Sequence, residues 1–255
     1  MRWRLARVRR DRALRAEVER LIAAGDVAVL NPLEGMDMAN PAAGGVVRDV
    51  VADFLAVYGT MRSPKPGHVL LHHPLALLKL PPTYDEYLAR VGPKTRNVIR
   101  KAAKTGYEFR EFTWNDHLED IFLVNTSAAS RSGGPMRGWY AEPVEPRDEA
   151  ELRRYYGAFR EGRLYGYLHL VECGDFGFFR HFLGHADHLG DGIMNGLISW
   201  AARRYAGHPA VAWFSYGAFA PGRDGMAAFR RHAGFAPYAA YLDLAGLEHE
   251  PVVRR

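Results

Sequence analysis

The order of apolar runs in the second half of the chain restricts the folds that it can adopt. Residues 164–171 and 176–184 are strand-like, and Cys173-Gly174-Asp175 between them predicts a β-hairpin turn. The spacing of apolar side chains in residues 152–159 predicts a helix before this hairpin. After it come a glycine loop, a helix ending near Gly207, and then strand, helix and strand patterns at 210–215, 225–232 and 235–244. This order predicts an α/β protein with a mixed sheet.

The first 80 residues carry a pattern of their own. Helical spacing occurs in residues 14–22 and 47–55, and strand-like runs occur at 27–30, 68–72 and 76–80. A turn is predicted at 63–67, where proline and glycine cluster. We therefore expect an N-terminal α/β region over residues 1–80 and the main domain over residues 81–255.

Composition favours a folded protein with an anionic partner. The 255 residues are 48% apolar, and the formal net charge is +5. The single cysteine, Cys173, excludes an intrachain disulfide framework and a cysteine-rich zinc site. No apolar run approaches the roughly 18 residues of a membrane span. We therefore expect a soluble cytoplasmic protein.

The most concentrated charge lies in residues 94–106, which contain lysines and arginines but no acid. On a helix, Arg96, Arg100 and Lys104 would share one face, with Lys101 beside them. Like charges at this spacing weaken a helix unless something anionic faces them. We therefore predict that a phosphate, a pyrophosphate or a nucleic-acid backbone contacts Lys94, Arg96, Arg100 and Lys101. The alternative is a solvated helix face whose apolar side packs on the core.

The elements from about Leu80 to Leu244 resemble the GNAT acyltransferase fold. The likeness lies in the glycine loop between a central strand and a helix, and in the Ala-Phe-x-x-x-x-Gly-Phe stretch that ends at Phe235. Residues 96–102, Arg-Asn-Val-Ile-Arg-Lys-Ala, are similar to the Arg-x-x-Ile-Arg-Lys-Ala signature of the Fem-type branch of that fold. This branch contains aminoacyl-tRNA-dependent enzymes that form peptide bonds, and GNAT-like relatives described as acetyltransferases. The resemblance implies a GNAT-like acyltransferase domain over 81–255, with residues 1–80 as a reduced GNAT-like half.

The resemblance also implies a donor loop. GNAT enzymes that use acetyl-CoA hold its pyrophosphate on a loop of the form Arg/Gln-x-x-Gly-x-Gly/Ala, and Gly190 and Gly192 match its last two fixed positions. Asp187 stands at the Arg/Gln position, and Asp191 lies between the glycines. Two carboxylates would repel a pyrophosphate, and we expect Asp191 to cap the following helix. The alternative is an ordinary helix start with glycines for close packing.

A further role implied by the resemblance falls on Arg230, four residues before Gly234. GNAT enzymes often have a tyrosine general acid at this position, whereas the Fem-type branch has a Phe-Lys pair, which Phe229 and Arg230 resemble. Arginine is a poor proton donor, so we predict that Arg230 stabilises charge on the acyl carbonyl or the leaving group. The alternative is a surface arginine beside Arg231.

Formation of an amide requires a neutral amine and therefore a base. His181 and His185, near the open end of a central strand, are candidates for this base, and Tyr216 would lie where the acyl group enters the sheet. Trp139 and Tyr140, in a long loop at 130–146, are predicted to line the acceptor pocket. Structural roles are the alternative for each of these side chains. The spacing of the histidines and aspartates at 181–191 does not predict a metal site.

These residues together predict a metal-independent N-acyltransferase with no tightly bound cofactor and no covalent enzyme intermediate. The donor would be an aminoacyl-tRNA, an acyl-carrier thioester or acetyl-CoA, and the acceptor an amine. The altered loop, Arg230 and the basic helix favour the first two donors. One alternative function is an acetyl-CoA-dependent N-acetyltransferase. Another is a non-catalytic nucleic-acid-binding module, although the basic run lacks the interleaved aromatic residues that stack on bases.

Overall fold

The computed structural model describes residues 2–61, 63–131, 134–136, 138–147, 152–219, 224–245 and 247. The α-helices in these ranges are α1 (Arg2–Ala24), α2 (Pro41–Tyr58), α3 (Tyr84–Arg90), α4 (Pro93–Lys104), α5 (Leu118–Thr126), α6 (Ile193–Tyr205) and α7 (Asp224–His232). The strands are β1 (Val27–Leu30), β2 (Thr60–Met61), β3 (His68–Leu71), β4 (Leu75–Lys79), β5 (Glu108–Glu111), β6 (Ser130–Arg131), β7 (Gly134–Pro135), β8 (Arg153–Arg160), β9 (Arg163–Cys173), β10 (Phe176–Gly184), β11 (Trp213–Ala218) and β12 (Ala236–Asp243).

One ten-stranded mixed sheet organises the molecule. Its order is β2-β3-β12-β4-β11-β10-β9-β8-β5, and β1 pairs with β12 beside this path. β1 runs parallel to β12 and β10 runs parallel to β11, whereas the other pairs in this sheet are antiparallel. The predicted mixed α/β architecture is confirmed. β6 and β7 form a separate two-stranded hairpin within the predicted loop at 130–146.

The strands of the first 80 residues are part of the same sheet. β4 lies between β11 and β12, and β1 and β3 both pair with β12. The first half of β12 pairs with β4, while its second half pairs with β1 and β3. Residues on both sides of position 80 therefore share backbone hydrogen bonds, and the division of the chain into two regions there stays a prediction.

Helices cover both faces of the sheet. Leu168 and Leu170 of β9 pack in one core with α3, α6 and α7, whereas Tyr167 faces α5 and Val171 faces α2. Alternate residues of a strand point to opposite faces, so β9 is buried on both sides. The result is a three-layer arrangement in which the middle of the sheet is enclosed.

The predicted helix at 152–159 is wrong, because residues 153–160 form β8, paired with β5 and β9. The cause is burial on both faces of this strand. Its neighbours Tyr155 and Tyr156 are both buried and lie in different cores. A strand that is buried on both faces lacks the alternation of apolar and polar residues that identifies a strand. The apolar residues of β8 therefore match the spacing of a helix, and the sequence predicts one.

Candidate functional site

The sheet opens between β10 and β11. In the described part of the chain these strands pair at three positions, Phe176–Phe178 opposite Trp213–Ser215. Beyond them, β10 stays with β9 up to Gly184, whereas β11 stays with β4 up to Ala218. Each strand also has a register irregularity there, where backbone groups leave the regular ladder. The two strands therefore separate beyond Phe178 and Ser215.

Aromatic side chains and an arginine line the opening. The ring centroid of Tyr216 in β11 lies 5.6 Å from that of Phe179 and 5.3 Å from that of Phe182, both in β10. The guanidinium of Arg230 lies 4.7 Å from the Tyr216 ring centroid, and the ring of Phe229 is 6.4 Å from it. Burial raises the pKa of Tyr216 to about 12, and the charge of Arg230 opposes this shift. The structure therefore brings Tyr216, Phe229 and Arg230 together around a neutral phenol.

Gly217 lies beside Arg230 in the opening. Its φ of 69° is in the left-handed region. A Cβ at this position would lie 3.4 Å from the hydroxyl oxygen of Tyr58 and 3.7 Å from Nη2 of Arg230. Arg230 also donates a hydrogen bond to the carbonyl of Ala218. Burial raises the pKa of Tyr58 to about 12, again opposed by Arg230.

Tyr58 is a site residue that sequence reasoning missed. It is the last residue of α2, far from Arg230 in the chain. It reaches the opening because α2 packs in one core with Leu75 of β4 and Phe176 of β10. The sequence around Tyr58 contains no pattern that predicts its proximity to Arg230.

A second group of predicted residues meets at His181. Nδ1 of His181 lies 3.3 Å from the hydroxyl of Tyr140, and its ring centroid is 5.3 Å from that of Trp139. Trp139 and Tyr140 stack on each other, with ring centroids 3.8 Å apart, in a 3₁₀-helix at Gly138–Tyr140. Tyr140 also acts on Tyr216, whose pKa it helps to raise. The predicted acceptor residues and the base candidate His181 are thus close to the opening.

His185 belongs to another cluster, at the predicted donor loop. Its ring centroid lies 5.2 Å from that of His188, whose Nδ1 is 2.5 Å from the hydroxyl of Tyr107. Tyr107 donates a hydrogen bond to Asp191, and burial together with this bond raises the pKa of Tyr107 to about 12. Burial and the neighbouring His185 lower the pKa of His188. Tyr107 is a second residue that sequence reasoning missed.

The expectation that Asp191 caps the following helix is wrong. The N-cap of α6 is Gly192, with φ 82° and no side-chain capping bond, because the Asp191 carboxylate turns to Tyr107. A Cβ at Gly192 would lie 2.5 Å from Cγ1 of Val98 and 2.8 Å from its carbonyl oxygen. Gly192 therefore permits α4 to pack against the start of α6, whatever its role toward a donor.

The basic helix contacts the donor loop through one lysine. Nζ of Lys101 donates to the carbonyl of Gly190 at 2.8 Å and lies 4.0 Å from Asp191. Asp191 is thus partly neutralised, whereas the side chain of Asp187 is 85% exposed. Lys101 and Gly190, predicted separately from the sequence, meet in the structure.

The other cations of α4 have different surroundings. Nη1 of Arg96 donates to the carbonyls of Leu88 and Val91, so it holds the end of α3. Arg100 is exposed and donates to Asn97, and Lys94 is exposed in the first turn. The predicted basic helix is confirmed as α4, but Arg96 has a structural task that the other cations lack.

In the described ranges, no group of three or more histidine, cysteine, aspartate or glutamate side chains is placed to hold a metal ion. None of the described helices has the length and apolarity needed to span a bilayer.

The chain shares its fold with a solved structure. The crystal structure of FemX matches it with a TM-score of 0.55, at 11% identity, over 84% of this chain and 79% of that one. The likeness at this identity confirms the predicted Fem-type GNAT-like fold, and it shows the fold alone.

Two further solved structures match less closely. The C-terminal domain of a putative lysylphosphatidylglycerol synthetase from Agrobacterium fabrum matches with a TM-score of 0.45 and 15% identity, over 76% of this chain and 71% of that one. A GCN5-related N-acetyltransferase from Kribbella flavida gives 0.39 and 15%, over 84% and 76%. No family model and no curated protein matches the sequence.

Proposed function

We propose that this protein is an N-acyltransferase that transfers an acyl or aminoacyl group from an activated donor to an acceptor amine. The observation that carries this proposal is the position of Arg230 over Tyr216 at the splay of β10 and β11. A carbonyl held in the opening would meet a fixed guanidinium and a neutral phenol. Such donors stabilise the oxyanion that forms when the amine attacks.

In the proposed reaction, His181 takes the proton from the amine, and Tyr140 and Trp139 hold the acceptor beside it. The amine nitrogen then bonds to the acyl carbon, and the bond to the leaving oxygen or sulfur breaks. Arg230 stabilises negative charge on the carbonyl or the leaving group but does not give up a proton. The bulge in β10 near Arg180 frees backbone groups that add further hydrogen bonds.

For the donor, an aminoacyl-tRNA or an acyl-carrier thioester is favoured. Arg100 and Lys94 present exposed charge on α4, and the exposed Asp187 stands where a pyrophosphate would need a cation. Acetyl-CoA is the second candidate for two reasons. Asp191 does not cap α6, so it leaves the first amides of this helix to a pyrophosphate, and Lys101 at 4.0 Å offsets its negative charge. Calorimetry with acetyl-CoA separates the two: we expect a dissociation constant of about 100 µM or weaker. Low-micromolar binding would favour the N-acetyltransferase.

The role of Arg230 can be tested by Arg230→Met. We expect kcat to fall roughly 100-fold with little change in KM, because the lost interaction acts in the transition state. Arg230→Lys should recover part of the rate, since it keeps the charge but not the planar fork.

The matched control for this test is Arg231→Met, at a guanidinium that lies 5.2 Å from the ring of Phe219. Its turnover should equal that of the wild type. Wild-type single-turnover rates in Arg230→Met would remove Arg230 from the mechanism. Nucleic acid that co-purifies with the protein, without turnover of any donor, would favour the binding-module reading.

A further inference from the structure

A row of polar side chains crosses three neighbouring strands beside His181. Tyr155 of β8 and His169 of β9 are register partners, and so are His169 and His181 of β10. The ring centroids are 4.7 Å apart for Tyr155 and His169, and 5.5 Å apart for His169 and His181. Register partners share a face of the sheet, so the row leads inward from the proposed base.

The hydrogen-bonding state of His169 follows from its partner. Nδ1 of His169 lies 3.0 Å from Nη1 of Arg147, and arginine can only donate. Nδ1 therefore accepts. Burial, and then the electrostatic effect of His181, Arg147, Arg180 and Arg153, lower the pKa of His169 well below its ordinary value, so the ring is neutral. A neutral ring that accepts at Nδ1 carries its proton on Nε2, which makes Nε2 a donor.

Two buried polar atoms in this row lack a partner. Within the described residues, neither Nε2 of His169 nor the hydroxyl of Tyr155 has a hydrogen bond, although His169 is 1% exposed and Tyr155 6% exposed. Buried polar groups are nearly always paired, and an unpaired one is costly. Two on adjacent rings are best explained by a partner from outside the chain.

The charge around the row indicates what this partner is. Arg147 stacks on Trp114, 3.9 Å from its ring centroid, and donates to Nδ1 of His169. Nε2 of His169 is a donor on the other side of the ring, and the Tyr155 hydroxyl can donate as well. Two adjacent donors in the positive field of Arg147, Arg153 and Arg180 suit an anionic oxygen group such as a carboxylate.

We propose that His169 and Tyr155 bind a carboxylate of the acceptor, while Arg147, at Nδ1, keeps the His169 proton on Nε2. This rests on the proposed function, since His181, next in the row, is the base for the amine of the same molecule. The acceptor class is therefore an amine that carries a carboxylate, such as an amino acid or a peptide with a free carboxyl group. The amine lies at His181 and the carboxylate lies one strand further in.

Acetate serves as the probe of this subsite in the wild-type protein with ¹⁵N-labelled histidine. Titration followed by NMR at pH 7.5 should give a saturable shift of the His169 Nε2 proton, with a dissociation constant of roughly 1 to 10 mM for so small a ligand. The signal is assigned with His169→Gln. Acetamide, which is neutral and of the same shape, and sodium chloride at equal ionic strength should cause no such shift. No shift with acetate, or an equal shift with acetamide, would overturn the proposal.

Tyr155→Phe removes one hydroxyl and keeps the ring, and it should weaken acetate binding at least about 5-fold. Tyr156→Phe is the matched control, because that hydroxyl pairs with Tyr205 on the other face of β8. Equal weakening in both variants would mean that the subsite is not at Tyr155.

The subsite and the proposed function fail separately. Arg230→Met should lose turnover and still bind acetate. Acetate binding without turnover of any donor would leave the subsite standing and the acyltransferase wrong. If amines with a free carboxylate and the methyl esters of the same amines are acylated at equal KM, and acetate causes no shift, the acyltransferase stands and the carboxylate subsite is wrong.

Discussion

Asp175 places a carboxyl group in the turn between β9 and β10. Its Oδ1 accepts a hydrogen bond from the amide of Asn31 at 2.8 Å, which ties the turn to the end of β1. Burial raises the pKa of Asp175 to about 6, and the backbone hydrogen bonds oppose the shift. The folded state therefore binds this proton more tightly than the unfolded state, and the stability that the proton provides is lost as pH rises through 6.

Asp175→Asn tests this at single-residue scale, since the amide keeps an acceptor for Asn31 but does not ionise. Relative to the wild type, the variant should gain on the order of 1 kcal/mol in free energy of unfolding between pH 4.5 and pH 7.5, after allowance for solvent screening. Urea unfolding at the two pH values measures the difference. A difference that stays constant with pH would show that Asp175 titrates normally.

At the scale of elements, the sequence predicts best where local chemistry decides. Thr83 is the N-cap of α3, and its Oγ1 accepts a hydrogen bond from the amide of Glu86, which agrees with the N-cap preference of threonine. The hairpin of β9 and β10 is confirmed because a turn with Gly174 separates its apolar runs. β8 is not predicted from its own sequence, since both of its faces are buried by helices from other parts of the chain.

Helix α4 carries one arginine that bonds to another helix, Arg96, and one exposed arginine that bonds within α4, Arg100. Arg96→Met should lower the free energy of unfolding by about 1 to 2 kcal/mol, because it removes two bonds from a guanidinium to the carbonyls of Leu88 and Val91. Arg100→Met, at an exposed position four residues later, should stay within about 0.5 kcal/mol of the wild type. It should instead weaken binding of an anionic donor. Thermal unfolding of both variants checks this, and equal loss of stability in both would make the whole face structural.

At the scale of the whole molecule, the site is assembled from distant parts of the chain. The sequence predicts Arg230, Tyr216 and His181 as site residues because they lie near recognisable strands and a terminal motif, and these roles stay predictions. Tyr58 is not predicted, since its position near Arg230 depends on how α2 packs on β4 and β10. The row formed by Tyr155, His169 and His181 likewise depends on the register of β8, β9 and β10 rather than on any local sequence pattern.

The same strand order predicts that residues 81–255 do not fold alone. Without residues 1–80, β11 loses its antiparallel partner β4, and β12 loses β1, β3 and β4. We expect this fragment to show no cooperative urea transition by circular dichroism. Its strand edges would be exposed, and the apolar face of the sheet that α2 covers in the full chain would be uncovered. The control is the full chain cut by a protease within the turn at 63–67, which keeps every strand present and should still unfold cooperatively. A fragment 81–255 that unfolds at the midpoint of the full chain would instead establish it as an independent domain, and Tyr58 would then be dispensable for the structure of the site.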